Sequence, residues 1–297
     1  MSILVTGATG FIGSALSTAL LKANFELVTP IRSMSKDDLG QCPTHNCPVI
    51  GDINSSTKWN KCLLGVDTIV HCAAKSNILI GKQDMRWPTF EETNVRGTLN
   101  LARQASDQGV RRFIFLSSIR VNGSQTSPGN CFRESDKLVY EGYYGRSKAE
   151  AEQGLWKLAE KTDMEIVIIR PPLVYGRGSH GNFARLVKLI KTGIPLPFAS
   201  IRNQRSFLAI DNLIDFIILC ITHAQAANQT FIVSDGEDLS TPQLLKSIAS
   251  AMGQNIRLFP CSPLLLNSVF KIAGRGEDAR RIVCSLQVDI AKVRRHL

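Results

Sequence analysis

The sequence predicts an α/β fold in which helices cover both faces of a parallel β-sheet, and three observations carry that prediction. Short apolar runs alternate with stretches of helical spacing through the first 170 residues. The first run, "ILVTG" from Ile3 to Gly7, stops at a glycine and is followed at once by a helical pattern. At that junction Gly7, Gly10 and Gly13 form G-x-x-G-x-x-G, the strand-to-helix setting in which a glycine turn can receive a pyrophosphate.

The helix after the turn places Ile12, Ala15, Leu16, Leu20 and Leu21 at helical spacing. "ELVTPI", "CPVIG", "TIVHCAA", "RFIFLSS" and "EIVIIRP" then read as strands. "NVRGTLNLARQASDQG" reads as a helix that ends at Gly109. The alternation gives a Rossmann-type doubly wound parallel sheet over residues 1–170. Past Arg170 the texture changes to "RPPLVYGRGSHGNF", rich in proline and glycine, and then to mixed helix and short strand. Residues 171–297 are expected to form mainly a smaller C-terminal α/β substrate lobe, with the part around 205–222 returning to the first domain.

The bulk properties are those of an ordinary soluble enzyme: 297 residues, 44% hydrophobic and 20% charged. "DFIILCI" is the strongest apolar run and is too short to span a bilayer; "MSILVTGATG" lacks the basic start of a signal peptide. A cytoplasmic protein without membrane contact is expected. The eight cysteines show no paired framework and read as free thiols. "CPTHNC" (Cys42, His45, Cys47) lacks the second cluster a structural zinc needs, so no metal is expected. The net charge of +10 comes from scattered cations with short pairs such as Arg111-Arg112 and Arg280-Arg281. No basic stripe interleaves with aromatics, which argues against nucleic acid, and phosphorylated small molecules explain the sign.

The cofactor candidates follow the strand ends. Gly7, Gly10 and Gly13 form the turn, with Thr9, Phe11 and Ile12 among its contacts. After the second strand stands Arg32-Ser33 where an acidic residue would favour NAD. These two suit a 2′-phosphate and tilt the NAD(P) reading towards NADP, although a loop arginine leaves NAD acceptable. Asp52, with Ile53, is placed to accept from an adenine amino group. Ala73 and Ala74 are small where backbone passes a cofactor, and His71 at that strand end is read as structural. In "EGYYGRSKAEAE" the helix aligns Tyr144, not Tyr143, with Lys148 at i+4.

These segments together resemble the extended short-chain dehydrogenase/reductases, specifically the UDP-glucose 4-epimerase-like nucleotide-sugar enzymes. The motifs are "TGATGFIG", "GDI", "HCAA", "NVRGTLNL", "FIFLSSIRVNG", "YYGRSK", "RPPLVYGRG" and "RSFLAIDNLIDFI", and the likeness runs from Met1 to about Leu297. It implies a catalytic Ser118, Tyr144 and Lys148. The family's Ser-x-x-Val-x-Gly falls on Ser118, Val121 and Gly123, which selects Ser118 over Ser117. Asn122 stands where relatives usually carry tyrosine, so a different pocket rim is expected. Asn94 matches a residue that props the lysine, and Pro171 joins the cofactor contacts.

A free tyrosine, with a pKa of about 10, is a poor base at neutral pH. Lys148 and a cationic nicotinamide are expected to favour its phenolate. Tyr144 then exchanges a proton with a sugar hydroxyl as hydride moves, and Ser118 holds that oxygen. The resemblance also implies a UDP-sugar gripped by Asn182 and Arg205, with Arg280 as a further arginine and Arg281 close behind. It implies a homodimer through the helices of Asn94 and Tyr144. Relatives continue past "VDIAKVRRHL" with a further segment. A 4-epimerase has a narrow lead over a UDP-4-keto-6-deoxy-sugar 4-reductase using NADPH or NADH. A non-catalytic dinucleotide binder and a reductase of non-nucleotide substrates are the remaining alternatives.

Overall fold

The computed structural model describes residues 1–33, 44, 46–76, 86–179, 181–272 and 276–297, apart from the side chains at 182, 267, 277 and 278. Nine strands run β1 (Ser2–Thr6), β2 (Glu26–Val28), β3 (Thr68–His71), β4 (Arg112–Leu116), β5 (Glu165–Arg170), β6 (Leu173–Tyr175), β7 (Arg205–Ala209), β8 (Gln229–Ile232) and β9 (Asp238–Leu239). The helices are α1 (Phe11–Lys22), α2 (Asn60–Leu63), α3 (Trp87–Phe90), α4 (Thr98–Asp107), α5 (Gly142–Ala159), α6 (Asn182–Lys191), α7 (Ile210–Thr222), α8 (Thr241–Ala251), α9 (Pro263–Ile272), α10 (Gly276–Val283) and α11 (Ala291–His296). A π-helical stretch, Glu91–Gly97, joins α3 to α4.

The main sheet is parallel throughout, in the order β2-β1-β3-β4-β5-β8. β3 and β4 are buried along their whole length, which is why they read as continuous apolar runs. On one face α1 and α7 pack Leu16, Leu20, Leu213 and Ile217 against Ile3, Val5 and Val167. On the other face α4 and α5 bring Leu101 and Leu155 against Ile69, Phe113 and Ile166. The predicted Rossmann-type α/β fold is what forms.

Two local differences have plain causes. "CPVIG" makes a single parallel bridge, Ile31 to Val49, in place of a strand. Pro48 accepts from the Ile31 amide at 3.0 Å but has no N–H to extend a ladder. Conversely, Gln229–Ile232, not singled out in the sequence, adds a sixth strand beside β5 with Ile169 opposite Phe231. The second sheet, β6-β7-β9, and a separate core of Ile190, Phe207, Leu245 and Leu266 form a second lobe, the one expected to face substrate. Among the described cysteines, Cys47 is disulfide-bonded, which corrects the expectation of free thiols throughout; six others are free. Cys42 and His45 of "CPTHNC" lie outside the described residues. No described helix is long and apolar enough to cross a membrane.

Two buried polar residues tie the layers together. Arg112 donates to the Glu165 carboxylate at 2.7 Å and to the carbonyls of Cys220, Ile221 and His223 at 2.5–3.1 Å. It thereby caps the C-terminus of α7 from the sheet, where free carbonyls and the helix dipole favour a cation. His71 closes β3, with Nδ1 2.7 Å from Thr6 Oγ1 and Nε2 2.9 Å from Thr98 Oγ1. It therefore has the structural role read for it.

Arg112→Met leaves the α7 carbonyls and part of Glu165 without a partner. It is expected to lower stability by about 2–4 kcal/mol, read as a fall in the urea midpoint at unchanged slope. Burial, aided by the Lys148 charge, pushes the His71 imidazole down to about 3 from its usual 6.5. Between those values the unfolded chain binds the extra proton. The His71 contribution is therefore complete above 6.5 and is lost as pH falls through the window, by roughly 1.4 kcal/mol per pH unit. Urea titrations across that range should give a flatter pH dependence for His71→Gln than for the parent.

Candidate active site

At the C-terminal end of β1 the chain turns through Gly7, whose φ of +68° suits glycine. A Cβ on Gly7 would stand 2.9 Å from the Ala73 amide nitrogen, and one on Gly13 only 2.1 Å from the Gly7 carbonyl oxygen. The loop after β3 and the start of α1 thus close on the turn with no room for side chains. Gly10 is the N-cap of α1, supplies no side-chain cap, and is followed by a first turn without acidic residues. That end leaves amides and a positive dipole facing outward, which fits a dinucleotide pyrophosphate. Thr9, Phe11 and Ile12 are partly buried around the turn, and Phe11 approaches Gly178.

The three hydroxyl and amine candidates come together at the ends of β4 and α5. Ser118 Oγ accepts from the Arg120 amide at 3.3 Å, capping a short 3₁₀ turn at Ile119–Val121. Its side chain also lies near enough to the half-buried Tyr144 phenol to favour the ionised form. Tyr143 faces away, in tilted contact with Trp87 and Phe90 at 6.2 Å between ring centres. Burial pushes the Tyr144 phenol up to about 12, while Ser118 and the Arg120 charge act in the opposite direction. Arg120 is thus a further charge that favours the phenolate. Lys148 donates to the Leu116 carbonyl at 2.7 Å and lies 4.4 Å over the Phe115 ring. Burial lowers its ammonium to about 8, against the opposing influence of Cys72 and Glu152.

Behind these groups lies a dry polar network. Ser117 donates to the Glu152 carboxylate, and Arg170 pairs with the same carboxylate at 2.6 Å, all three side chains buried. Ser117 is therefore committed to the core while Ser118 faces the groove. Asn122 belongs to the network too, accepting from Arg170 at 3.2 Å and donating to the Arg133 carbonyl at 3.0 Å. It is buried rather than on the pocket rim, contrary to expectation. Pro171 accepts from the Ile119 amide at 3.0 Å and holds the 3₁₀ turn to β5.

Asn94 sits in the π-helical stretch, a local widening often found at functional sites. It accepts from the Lys75 amide at 2.8 Å and donates to the Lys75 carbonyl and to Ser147 Oγ, both at 2.9 Å. It joins the loop after Ala73 and Ala74 to the residue beside Lys148. Ile53 packs against Gly97 at the end of the same stretch. At the adenosine end, Arg32 and Asp52 meet each other at 3.2 Å, both well exposed, with Ser33 partly buried beside them.

Across the groove, Arg205 donates to the Cys284 carbonyl at 2.8 Å. Burial lowers it to about 10, with the charges of Arg120 and Arg281 acting the same way. Three guanidinium groups from distant parts of the chain thus share one region. Arg280 pairs with Glu141, the N-cap of α5, at 3.7 Å. It is Arg281, the adjacent position, that joins the cluster. The role of Arg120 was missed, although it lies inside the motif that locates Ser118. The Asn182 side chain lies outside those described.

Comparison with known proteins agrees with this geometry. Residues 3–234 match the NAD dependent epimerase/dehydratase family. A UDP-glucose 4-epimerase from Vibrio cholerae is 42% identical over 100% of this chain and 89% of its own length. An N-acetyl-α-D-glucosaminyl-diphospho-ditrans,octacis-undecaprenol 4-epimerase from Escherichia coli is 26% identical over 86% and 73% of the two chains. The fold matches UDP-glucuronic acid 4-epimerase from Bacillus cereus, solved with UDP-glucuronic acid and NAD, with a TM-score of 0.78 at 22% identity. That match covers 100% of this chain and 93% of the other. The chain belongs to the NAD dependent epimerase/dehydratase family and is an enzyme of the UDP-glucose 4-epimerase-like kind.

Proposed function

We propose that this enzyme interconverts the C4 epimers of a UDP-sugar on a retained NAD, with Tyr144 as the acid–base group. The observation that carries this reading is that Ser118 and Arg120 both act on the Tyr144 phenol while Arg120 and Arg281 both act on Arg205. The arginines suit a diphosphate, whose oxygens match the planar guanidinium fork. The Ser118 and Tyr144 hydroxyls suit a sugar hydroxyl that must lose and regain a proton.

Bound NAD would supply the hydride acceptor and donor. Tyr144 as phenolate takes the C4 hydroxyl proton, and as phenol returns it. Ser118 donates to the same oxygen and fixes its line to Tyr144. Lys148, held by Leu116 and the carboxylate behind it, presents its ammonium to the ribose side of the groove. Asn182, first residue of α6, keeps its proposed place by the diphosphate; Arg281 replaces Arg280 there.

Two arguments favour epimerase over reductase. Similarity to the Vibrio cholerae enzyme extends over the whole chain. At the adenosine end, Asp52 already matches Arg32, and a 2′-phosphate placed there would meet that carboxylate. This turns the reading from NADP to NAD. Mass analysis of dinucleotide released on denaturing the purified protein is expected to give close to one NAD per chain. An empty protein that takes up NADPH would turn the assignment to a 4-keto reductase.

Tyr144→Phe should lower turnover by about 10²–10⁴-fold with dinucleotide retained; unchanged turnover sinks the assignment. Because the Arg120 charge lowers the Tyr144 pKa, Arg120→Gln should move the rising limb of the turnover profile to higher pH. A limb that stays in place removes Arg120 from the tuning of Tyr144.

A further inference from the structure

The second lobe carries an exposed apolar stripe. On α9, Leu264, Leu265, Val269 and Ile272 are between 56% and 88% exposed. At about 100° per residue these four fall within one arc of roughly 140°. The opposite side supplies Leu266 and Phe270 to the lobe core, so α9 is fixed and its outer side faces solvent. Ile194 and Phe259 add exposed apolar surface next to it, on segments joined where the Phe259 amide donates to the Leu196 carbonyl at 3.0 Å. A patch of this kind on a soluble domain marks a docking surface.

The surrounding charge identifies the occupant. Residues 171–204 contain five Lys and Arg and no Asp or Glu, and residues 239–276 contain four and none, the next acids being Glu277 and Asp278. Lys188, Lys191, Arg257 and Lys271 from these stretches are exposed. Exposed cations of like sign around the stripe would oppose its pairing with a second copy. Protruding leucine and isoleucine among exposed cations is the pattern of helices that lie in the surface of an anionic bilayer.

We propose that α9 and its basic surroundings seat the protein on an anionic membrane surface, with the outer stripe of α9 entering the headgroup region. Each contribution alone is weak: apolar burial holds a short helix shallowly, and the cations add attraction that salt screens. Together they give reversible, salt-sensitive association. The proposal does not depend on which sugar the enzyme uses.

Co-sedimentation of the full chain with phosphatidylglycerol vesicles, beside phosphatidylcholine vesicles, tests this directly. The expected result is partition onto the anionic vesicles only, weakened by added salt. Leu265→Glu/Ile272→Glu should reduce that partition about tenfold or more. The thermal midpoint and turnover of this variant should match the parent, showing that it folds. Three results would overturn the proposal: no binding to phosphatidylglycerol at low salt, binding unchanged in the double variant, or concentration-dependent self-association that the variant abolishes. The last would assign the stripe to a second copy of the chain.

Discussion

The buried carboxylate of Glu152 is the point on which the site depends. It lies one helical turn beyond Lys148 on α5 and receives both Arg170 from the end of β5 and Ser117 from the end of β4. Removing two charges from water is costly, and the pair holds only because its remaining hydrogen-bonding positions are filled. Asn122 and the Glu134 carbonyl fill them on the arginine side. Loss of one partner from such a pair typically costs about 3–5 kcal/mol. The network therefore fixes the rotation of α5 relative to β4 and β5, and with it the directions of Tyr144 and Lys148.

The adjacent serines follow from that constraint. Successive residues leaving a strand point to opposite sides. With Ser117 directed into the carboxylate, Ser118 has to face the groove, where it meets Tyr144. On α5 the spacing of four places Lys148 below Tyr144, but its ammonium reaches the Leu116 carbonyl rather than lying against the phenol. The phenol is left with burial raising its pKa and with Arg120 as the protein charge opposing that rise. Lys148 is thus anchored to the end of β4, and the Arg120 charge opposes the rise that burial imposes on Tyr144.

What was legible in the sequence is what depends on short spacing. The glycine turn between β1 and α1 and the helix that carries Tyr144 and Lys148 are local patterns, and both form where the sequence implied. Contacts between distant segments were not legible. Arg32 and Asp52 are both near the adenosine end, but nothing in either segment shows that they bind each other. Arg120, Arg205 and Arg281 come from a 3₁₀ turn, the central strand of the second sheet and a late helix, and only the fold brings them together. Arg280 and Arg281 could not be told apart, because adjacent helical residues point about 100° apart and the helix phase was unknown. "CPVIG" failed as a strand because Pro48 withholds a donor. Gln229–Ile232 succeeded as one because β5 offered an open edge.

Three groups among the positive charges are physically distinct. Arg112 and Arg170 are interior arginines, one capping α7 and the other balancing Glu152, and they say nothing about ligands. Arg120, Arg205 and Arg281 are grouped at the groove, where mutual repulsion helps depress Arg205 and an anion would relieve it. The exposed cations of the second lobe form the third group, set off by long stretches that contain no acid. Repulsion among them is a steady cost to the folded lobe. A random scatter of surface charge would have placed carboxylates between these cations, as it does across the helices of the main sheet. Their absence from residues 171–204 and 239–276, beside the exposed stripe of α9, suits a surface facing fixed negative charge.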